Sequence, residues 1–408
     1  MSDTDSSRNE READAAAARE ADPAARRPPL PIPLTVITGF LGAGKTTLLN
    51  RLLRDEALSD ALVIINEFGE IGLDHLLVET AGDDLIVMTS GCLCCSIRGD
   101  LVTTLEDTLR RRDNDRIAPF NRVVIETTGL ADPAPVLHTI MYHPYLMLRF
   151  RLDGVLTLVD AVNGAATLDA HEEAVKQAAM ADRIILSKTD LLTGEAGERS
   201  ALALRERLAR LNPGARVLDA AKGEAGAGAL LDAGLYNPER KTLDVRRWLN
   251  AEAFAADHDH DDRHGHHDGH RHEHAKPDVN RHDERIRAFC MRFEAPIAPA
   301  AFDLFLELLR NAHGPSLLRV KGIVALSDDP MRPVVIHGVQ HVFHPPVRLA
   351  AWPDADHATR IVFILRDMEP AFVEGLWRAF ANVPGLDRPD AAALQDNPLA
   401  PARSGLLG

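Results

Sequence analysis

Residues 34–47 have the sequence Leu34-Thr35-Val36-Ile37-Thr38-Gly39-Phe40-Leu41-Gly42-Ala43-Gly44-Lys45-Thr46-Thr47. The first five are apolar or β-branched and predict a short buried strand. The next eight match the pattern G-x-x-x-x-G-K-[ST] without a mismatch, and a helical pattern follows over residues 46–53. A strand, a glycine loop and a helix in this order predict a phosphate-binding loop, the P-loop.

The residue types in this loop suit a nucleotide phosphate chain. Glycines allow the backbone N–H groups to wrap phosphate oxygens, and the next helix presents its positive end. Lys45 is predicted to reach the β- and γ-phosphates as a catalytic cation, and the Thr46 hydroxyl to ligate Mg²⁺. The candidate nucleotide-binding residues of the loop are Gly39, Gly42, Ala43, Gly44, Lys45, Thr46 and Thr47.

Outward from the loop, short apolar runs alternate with helical patterns, as in residues 101–111 and 172–180. This alternation predicts an α/β fold of the P-loop NTPase type, a mainly parallel sheet covered by helices. Strands are predicted at Leu34–Thr38, Leu62–Ile65, Leu85–Met88, Val123–Ile125, Val155–Val159, Ile184–Leu186 and Arg216–Leu218.

Composition divides the chain further. Residues 1–30 are mostly Ala, Arg, Glu and Asp and predict a disordered tail. The nucleotide domain is expected over 31–245, a His-rich linker over 246–284, a small α+β domain over 285–370, and a last helix with a loose tail over 371–408. Within the α+β domain, strands are predicted at 289–293, 317–324, 334–340 and 360–365, with a helix at 300–311.

The bulk composition excludes several classes of protein. A net charge of -15 argues against a general nucleic-acid binder and suits a protein that attracts cations. Four cysteines in 408 residues do not form a disulfide framework and favour reduced thiols in a cytosol. The acidic, polar N-terminus lacks a secretory signal, and no apolar run reaches the roughly 20 residues that span a bilayer. The protein is expected to be soluble and cytoplasmic, with no membrane or nucleic-acid partner.

A second motif indicates which nucleotide base the protein binds. The run Ile184-Ile185-Leu186-Ser187-Lys188-Thr189-Asp190 is a strand that ends in Lys-x-Asp. The Asp190 carboxylate can accept two hydrogen bonds from N1–H and the exocyclic amine of guanine, a pair that adenine does not offer. The Lys188 stem can pack over the base. GTPases usually have Asn where this chain has Ser187, but the direction of the preference is guanine.

A third motif, Arg122-Val123-Val124-Ile125-Glu126-Thr127-Thr128-Gly129, follows another predicted strand. The strand is expected to deliver Glu126 beside the phosphates, where it orients either the attacking water or a water bound to Mg²⁺. Gly129 is expected to offer its N–H to the γ-phosphate, as switch segments do.

The run Gly91-Cys92-Leu93-Cys94-Cys95 holds three of the four cysteines. Thiolates at this spacing can converge on one ion, with one more ligand needed for tetrahedral Zn²⁺. Glu67 or Glu70, in the segment after the second strand, can supply it. The alternative is small buried cysteines in a tight turn.

A second candidate metal segment lies downstream. Residues 257–282 contain nine of the 18 histidines, and Asp257 to His274 contains little besides His, Asp, Arg and Gly. Such a composition cannot form a core but has affinity for metal ions; the alternative is a solvated polar linker.

Taken together, these motifs resemble the CobW-type metallochaperones, a family of P-loop GTPases, over residues 33 to about 370. The resemblance is carried by residues 38–47, by the cysteine run 91–95, by the run 126–133 (Glu126-Thr127-Thr128-Gly129-Leu130-Ala131-Asp132-Pro133), and by residues 335–341 (Val335-Ile336-His337-Gly338-Val339-Gln340-His341) in a domain similar to the CobW C-terminal domain.

The resemblance implies hydrolysis of GTP, with Mg²⁺, coupled to delivery of a metal to a client metalloprotein. The metal is often Zn²⁺, with Co²⁺ as the second possibility. Two other functions stay open at this point: a His-rich metal buffer with vestigial GTPase activity, and a metal-independent P-loop phosphotransferase with structural cysteines.

Overall fold

A computed structural model of the chain describes residues 30–68, 85–90, 96–231 and 285–381. The predictions for the N-terminal tail, for Asp257 to His274 and for the tail from residue 386 lie outside these residues.

Seven strands within the described residues form one parallel sheet. They are β1 (Ile32–Gly39), β2 (Ala61–Phe68), β3 (Leu85–Ser90), β4 (Arg122–Thr127), β5 (Phe150–Asp160), β6 (Arg183–Ser187) and β7 (Arg216–Asp219). Their order is β3-β2-β4-β1-β5-β6-β7, and every neighbouring pair is parallel. The α/β fold predicted from the sequence is confirmed, since each predicted strand of this region falls within one of the seven.

Helices connect these strands. Those described are α1 (Lys45–Leu53), α2 (Ser96–Asp113), α3 (Ala134–Tyr142), α4 (Leu146–Arg149), α5 (Gly164–Ala170), α6 (Glu172–Ala179), α7 (Gly194–Leu211) and α8 (Ala227–Leu230). Among the described residues, none of the helices is both long and apolar enough to cross a bilayer.

The central strand shows why the sheet is covered on both faces. Leu34 and Val36 of β1 pack in one apolar cluster with α2 and α3, whereas Ile37 packs in another with Leu48 and Leu49 of α1. Successive side chains of a strand point to opposite faces, so a strand with helices on both sides is apolar along its whole length.

The order of the strands fixes the place of the site. β1 lies between β4 and β5, where the chain order along the sheet reverses. In open α/β sheets, ligands bind beyond the carboxyl ends of the strands at such a reversal. The ends of the three strands, at Gly39, Thr127 and Asp160, therefore define the candidate site.

The C-terminal part is an antiparallel sheet with two helices, in agreement with the predicted α+β domain. Its elements are β8 (Ile286–Phe293), α9 (Pro299–His313), β9 (Leu317–Val324), β10 (Val334–Val339), β11 (Val342–Phe343), β12 (Val347–Arg348), β13 (Thr359–Arg366) and α10 (Pro370–Phe380). The strand order is β11-β10-β9-β13-β8, with β12 also paired to β10. Both helices pack in one core, where Trp377 is fully buried between Phe302 and Phe305.

The two sheets share an apolar core. Val136 and Ile140 of α3 pack in one cluster with Leu318, Val339 and Ile364 of the C-terminal sheet. His138 Nε2 lies 3.1 Å from the carbonyl oxygen of Val339. Because that oxygen can only accept, Nε2 carries the proton of this hydrogen bond.

A buried charge cluster lies at the same contact. Asp182, which precedes β6, accepts hydrogen bonds from Arg319 at 2.7 Å to both carboxylate oxygens and another from Lys321. It also accepts from the Val155 N–H at 2.8 Å. All three charged side chains are at least 90% buried.

The cluster holds two opposing effects on pKa. Burial by itself raises the pKa of Asp182, but the charges of Arg319 and Lys321 outweigh it and keep the pKa well below its usual range. Burial lowers the pKa of Lys321 to about 8. Removing one partner of such a cluster leaves the other charges buried and uncompensated.

We predict that Asp182→Asn lowers the free energy of unfolding by about 3–5 kcal/mol, because two buried cations lose their anion. The folded-state pKa of Asp182 is depressed, so its contribution is complete above the unfolded value of about 3.9 and is lost as the pH falls below it. Chemical denaturation of both proteins at pH 7 and near pH 3 measures the difference, which should shrink in acid. Asp329→Asn, which breaks the exposed pair with Arg332, is the control; equal losses in the two variants would contradict the prediction.

Candidate nucleotide site

The loop between β1 and α1 has the backbone that its glycines predict. Gly39, Gly42 and Gly44 have φ values of 140°, 72° and 91°, which residues other than glycine rarely adopt. A Cβ at Gly39 would lie 2.5 Å from the Leu158 carbonyl oxygen of β5. The Ala43 N–H donates to the Phe40 carbonyl oxygen at 3.1 Å and closes a turn.

Lys45 lies against this loop. Its Nζ donates to the carbonyl oxygens of Gly39 at 3.0 Å and Phe40 at 3.3 Å. The side chain therefore folds back over the loop backbone and places its charge there. Thr47, in the same turn of α1, is exposed.

β4 brings a carboxylate to the start of α1. Glu126 is buried and pairs in register with Ile37 of β1. Its Oε1 accepts a hydrogen bond of 3.1 Å from the Thr46 hydroxyl. One residue on, the Thr127 hydroxyl donates to the Thr38 hydroxyl at 2.9 Å. The structure thus brings together Lys45, Thr46 and Glu126, which the sequence analysis selected separately.

The segment after β4 is pressed against the loop. A Cβ at Gly129 would lie 2.6 Å from the backbone nitrogen of Leu41, so only glycine fits this approach. The residues from 128 to 133 then lead into α3, whose first N–H is capped by Asp132 at 2.9 Å.

The end of β6 forms the side of the site predicted for the base. The Ser187 hydroxyl donates to the Ala43 carbonyl oxygen at 2.7 Å, and this bond ties the strand end to the P-loop. Lys188 has a left-handed backbone, with φ of 58°, and donates from Nζ to Asp160 Oδ2 at 2.8 Å. Asp190 lies in the short 3₁₀ turn that follows, with its side chain exposed.

Asp160 and Asp219 are residues of this site that the sequence analysis missed. Although burial opposes it, hydrogen bonds from Lys188 and Asn163 hold the pKa of Asp160 below its usual range. Asp219, at the end of β7, accepts from the Thr189 hydroxyl at 2.6 Å and from the backbone N–H groups of Ala221 and Lys222. An aspartate that directly follows an apolar strand was the available signal in both cases.

The predicted thiolate ligands Cys92, Cys94 and Cys95 and the carboxylate of Glu70 lie outside the described residues. Glu67 is described as part of β2, where its backbone pairs with Thr89 of the neighbouring strand β3. β3 ends at Ser90, two residues before Cys92. Within the described part of the chain, no group of three or more His, Cys, Asp or Glu side chains is arranged to hold a metal ion.

Comparison with known proteins agrees with this architecture. Residues 33–219 match the CobW/HypB/UreG nucleotide-binding domain, and residues 286–381 match the C-terminal domain of the cobalamin synthesis protein cobW. The zinc chaperone YjiA of Escherichia coli is 33% identical over 334 residues, which cover 82% of this chain and 94% of YjiA. The zinc chaperone CobW of a Sinorhizobium species is 31% identical over 372 residues, with 84% and 95% covered.

A solved structure extends the likeness to three dimensions. The crystal structure of Zn(II)-bound YjiA GTPase from Escherichia coli has a TM-score of 0.60 to this chain at 28% identity. The match covers 86% of this chain and 99% of YjiA. The resemblance predicted from the sequence motifs is confirmed, and this chain belongs to the CobW/HypB/UreG family of nucleotide-binding proteins, with a CobW-type C-terminal domain.

Proposed function

We propose that this protein is a cytoplasmic GTPase that binds a transition metal, Zn²⁺ or less favourably Co²⁺, and delivers it to a client metalloprotein. The observation that carries the proposal is the grouping of Lys45, Thr46 and Glu126 at the end of β1. Its support outside the site is the family, whose members YjiA and CobW are named zinc chaperones.

Phosphate binding and hydrolysis follow from the loop. The backbone N–H groups of residues 42–46 and the N-terminal end of α1 bind phosphate oxygens. Lys45, now bonded to loop carbonyl oxygens, exchanges them for the β- and γ-phosphates and stabilises the charge that develops during transfer. Gly129 donates its N–H to the γ-phosphate, which makes the segment after β4 the part that senses hydrolysis.

Thr46 and Glu126 fit a magnesium ion, because hydroxyl and carboxylate oxygens are ligands that Mg²⁺ prefers. Thr46 would ligate the ion directly, and Glu126 would orient either a water bound to it or the attacking water. An ion held there would supply positive charge against the phosphates of the nucleotide.

The base is assigned to guanine through Asp190. Its exposed carboxylate accepts the two donors of the guanine edge, while the stem of Lys188 packs over the ring. The hydrogen bond from the Ser187 hydroxyl to the Ala43 carbonyl oxygen supports this assignment. It joins the base side of the site to the P-loop, although Ser187 stands where GTPases usually have Asn.

The cargo metal is assigned to Cys92, Cys94 and Cys95, with Glu67 or Glu70 as the further ligand. The pairing of β2 with β3 supports this grouping, since it sets the backbone of Glu67 beside Thr89, three residues before Cys92. The β2 strand also pairs with β4, which carries Glu126. A metal site and a phosphate site on neighbouring strands are expected to influence each other.

We predict that Lys45→Ala abolishes GTP hydrolysis while the fold is retained, because the variant loses the charge that stabilises the transferring phosphoryl group. Phosphate release under saturating GTP measures the rate, and the melting temperature reports the fold. Near-normal turnover would contradict the role of this loop.

We predict that Asp190→Ala weakens binding of GTP by at least an order of magnitude, because hydrogen bonds to a charged group contribute about 1.5–3 kcal/mol. ATP, which lacks the two donors, serves as the internal control. Titration of the variant with both nucleotides measures the effect; equal losses for GTP and ATP would exclude Asp190 from base recognition.

We predict that replacing Cys92, Cys94 and Cys95 together by Ser removes the tight zinc site, because neutral hydroxyls are poor ligands. Cys290→Ser is the matched control, since burial raises the pKa of the Cys290 thiol to about 11 and keeps it protonated. In the native protein, competitive zinc titration measures the free energy of zinc binding with GDP and with a non-hydrolysable GTP analogue. The two values should differ by about 1–3 kcal/mol, the usual range of coupling between two sites. Identical affinities in the two nucleotide states would favour the metal buffer, and absence of stoichiometric zinc would favour the phosphotransferase.

A further inference from the structure

Helix α6 touches the segment that follows β4. The side-chain amide of Gln177, which is 1% exposed, donates to the carbonyl oxygens of Gly129 at 3.2 Å and Ala131 at 3.0 Å. Because both partners are acceptors, the amide nitrogen must face the segment. Lys176 lies 3.9 Å from Asp132 in the same segment.

The contact is incompletely satisfied. Gln177 Oε1 is buried and has no hydrogen-bond partner among the described residues. A buried acceptor without a partner raises the free energy of this arrangement. A second arrangement of the segment that offered Oε1 one of its N–H groups would recover this free energy, which lowers the difference between the two arrangements.

The helix itself is firmly held. The Asn212 side-chain amide donates to the carbonyl oxygens of Ala178, Ala179 and Ala181, at 2.9–3.0 Å. Thr157 of β5 donates to the backbone carbonyl oxygen of Gln177 at 2.7 Å. At the other end His171, the residue before α6, stacks on Phe40 of the P-loop with ring centres 4.4 Å apart. These contacts tie α6 to β5, to the end of α7 and to the P-loop.

The N-terminal end of α6 meets the C-terminal domain. Glu172 pairs at 2.9 Å with Arg285, the residue before β8, and lies 3.9 Å from Arg366, the last residue of β13. Val175 is buried in an apolar cluster against which Ile286 of β8 packs. The same helix thus contacts the P-loop, the segment after β4 and the C-terminal sheet.

We propose that α6 transmits the nucleotide state to the β8–β13 edge of the C-terminal domain, and that Gln177 is a positioning residue for the segment that binds the γ-phosphate. The inference rests on the proposed function, since it takes Gly129 as the γ-phosphate contact. When Gly129 moves towards the γ-phosphate, the two bonds from the Gln177 side chain must rearrange, and α6 carries this change to Glu172 and Val175.

Hydrogen–deuterium exchange of the full chain, with GDP and with a non-hydrolysable GTP analogue in the presence of Mg²⁺, tests the route. In the native protein, amides of residues 286–293 and 359–366 should exchange at rates that differ several-fold between the two nucleotides. Gln177→Met, which keeps the volume but has no donor, should remove this difference. It should also lower kcat about ten- to a hundredfold with KM nearly unchanged, because the P-loop still binds the nucleotide while Gly129 is misplaced.

A double variant tests the other end of α6. Glu172→Gln with Val175→Ala removes the ion pairs and the apolar contact with the C-terminal domain but leaves Gln177 in place. It should also lose the nucleotide-dependent difference at residues 286–293 and 359–366, while kcat stays within about twofold of the native value. Glu173→Gln, on the same helix, is the matched control and should keep both properties.

The P-loop peptide, residues 39–47, separates the possible failures. If neither nucleotide protects it, the proposed nucleotide function fails. If it is protected but residues 286–293 and 359–366 do not respond in the native protein, the α6 route is overturned. Retention of the response in either variant overturns it as well. A response confined to residues 339–343 would assign the coupling to α3, which bears His138, and would equally overturn it.

Discussion

No side chain fits at Gly39, because a Cβ there would lie 2.5 Å from the carbonyl oxygen of Leu158. The missing side chain lets β1 stay paired with β5 up to Gly39, the last residue of β1. The loop then leaves from the middle of the sheet edge. Everything in the candidate site depends on that position. The neighbouring strands end at the same edge and bring Glu126, Asp160 and Ser187 within hydrogen-bond distance of the loop, of α1 or of Lys188.

The sequence was sufficient to predict the sheets, because buried parallel strands are apolar throughout and the glycine loop has few alternatives. It also selected Lys45, Thr46 and Glu126 as candidates, each from a local motif. It did not predict that Thr46 donates to Glu126, since 80 residues separate them. Gln177 was not predicted for the same reason. A single glutamine in an amphipathic helix belongs to no pattern that relates it to Gly129, and only the packing of α6 brings the two together.

Charged residues inside apolar strands were a signal that motif analysis did not use. Arg319 and Lys321 lie in the otherwise apolar run of β9, and both are buried against Asp182. Charges are almost never fully buried unless they are paired, so these two positions require an anion from elsewhere in the chain. The sequence alone does not say which of 61 acidic residues supplies it. Paired charges at the contact hold the two sheets in one relative position, because ion pairs depend on position more strictly than apolar contacts do. The contact between α6 and β8 depends on that position.

The same cluster affects how the chain matures on the ribosome. Asp182 is synthesised 137 residues before Arg319, a delay of roughly 7–27 s at about 5–20 residues per second. During that time the first sheet can be complete, yet its carboxylate has no cation and the apolar surface of α3 has no cover. A nascent chain in this state exposes the apolar surface of α3 near a carboxylate that is costly to bury without its cations. The nucleotide domain can therefore fold before the C-terminal sheet is synthesised, but it gains the ion pairs of Asp182 only afterwards.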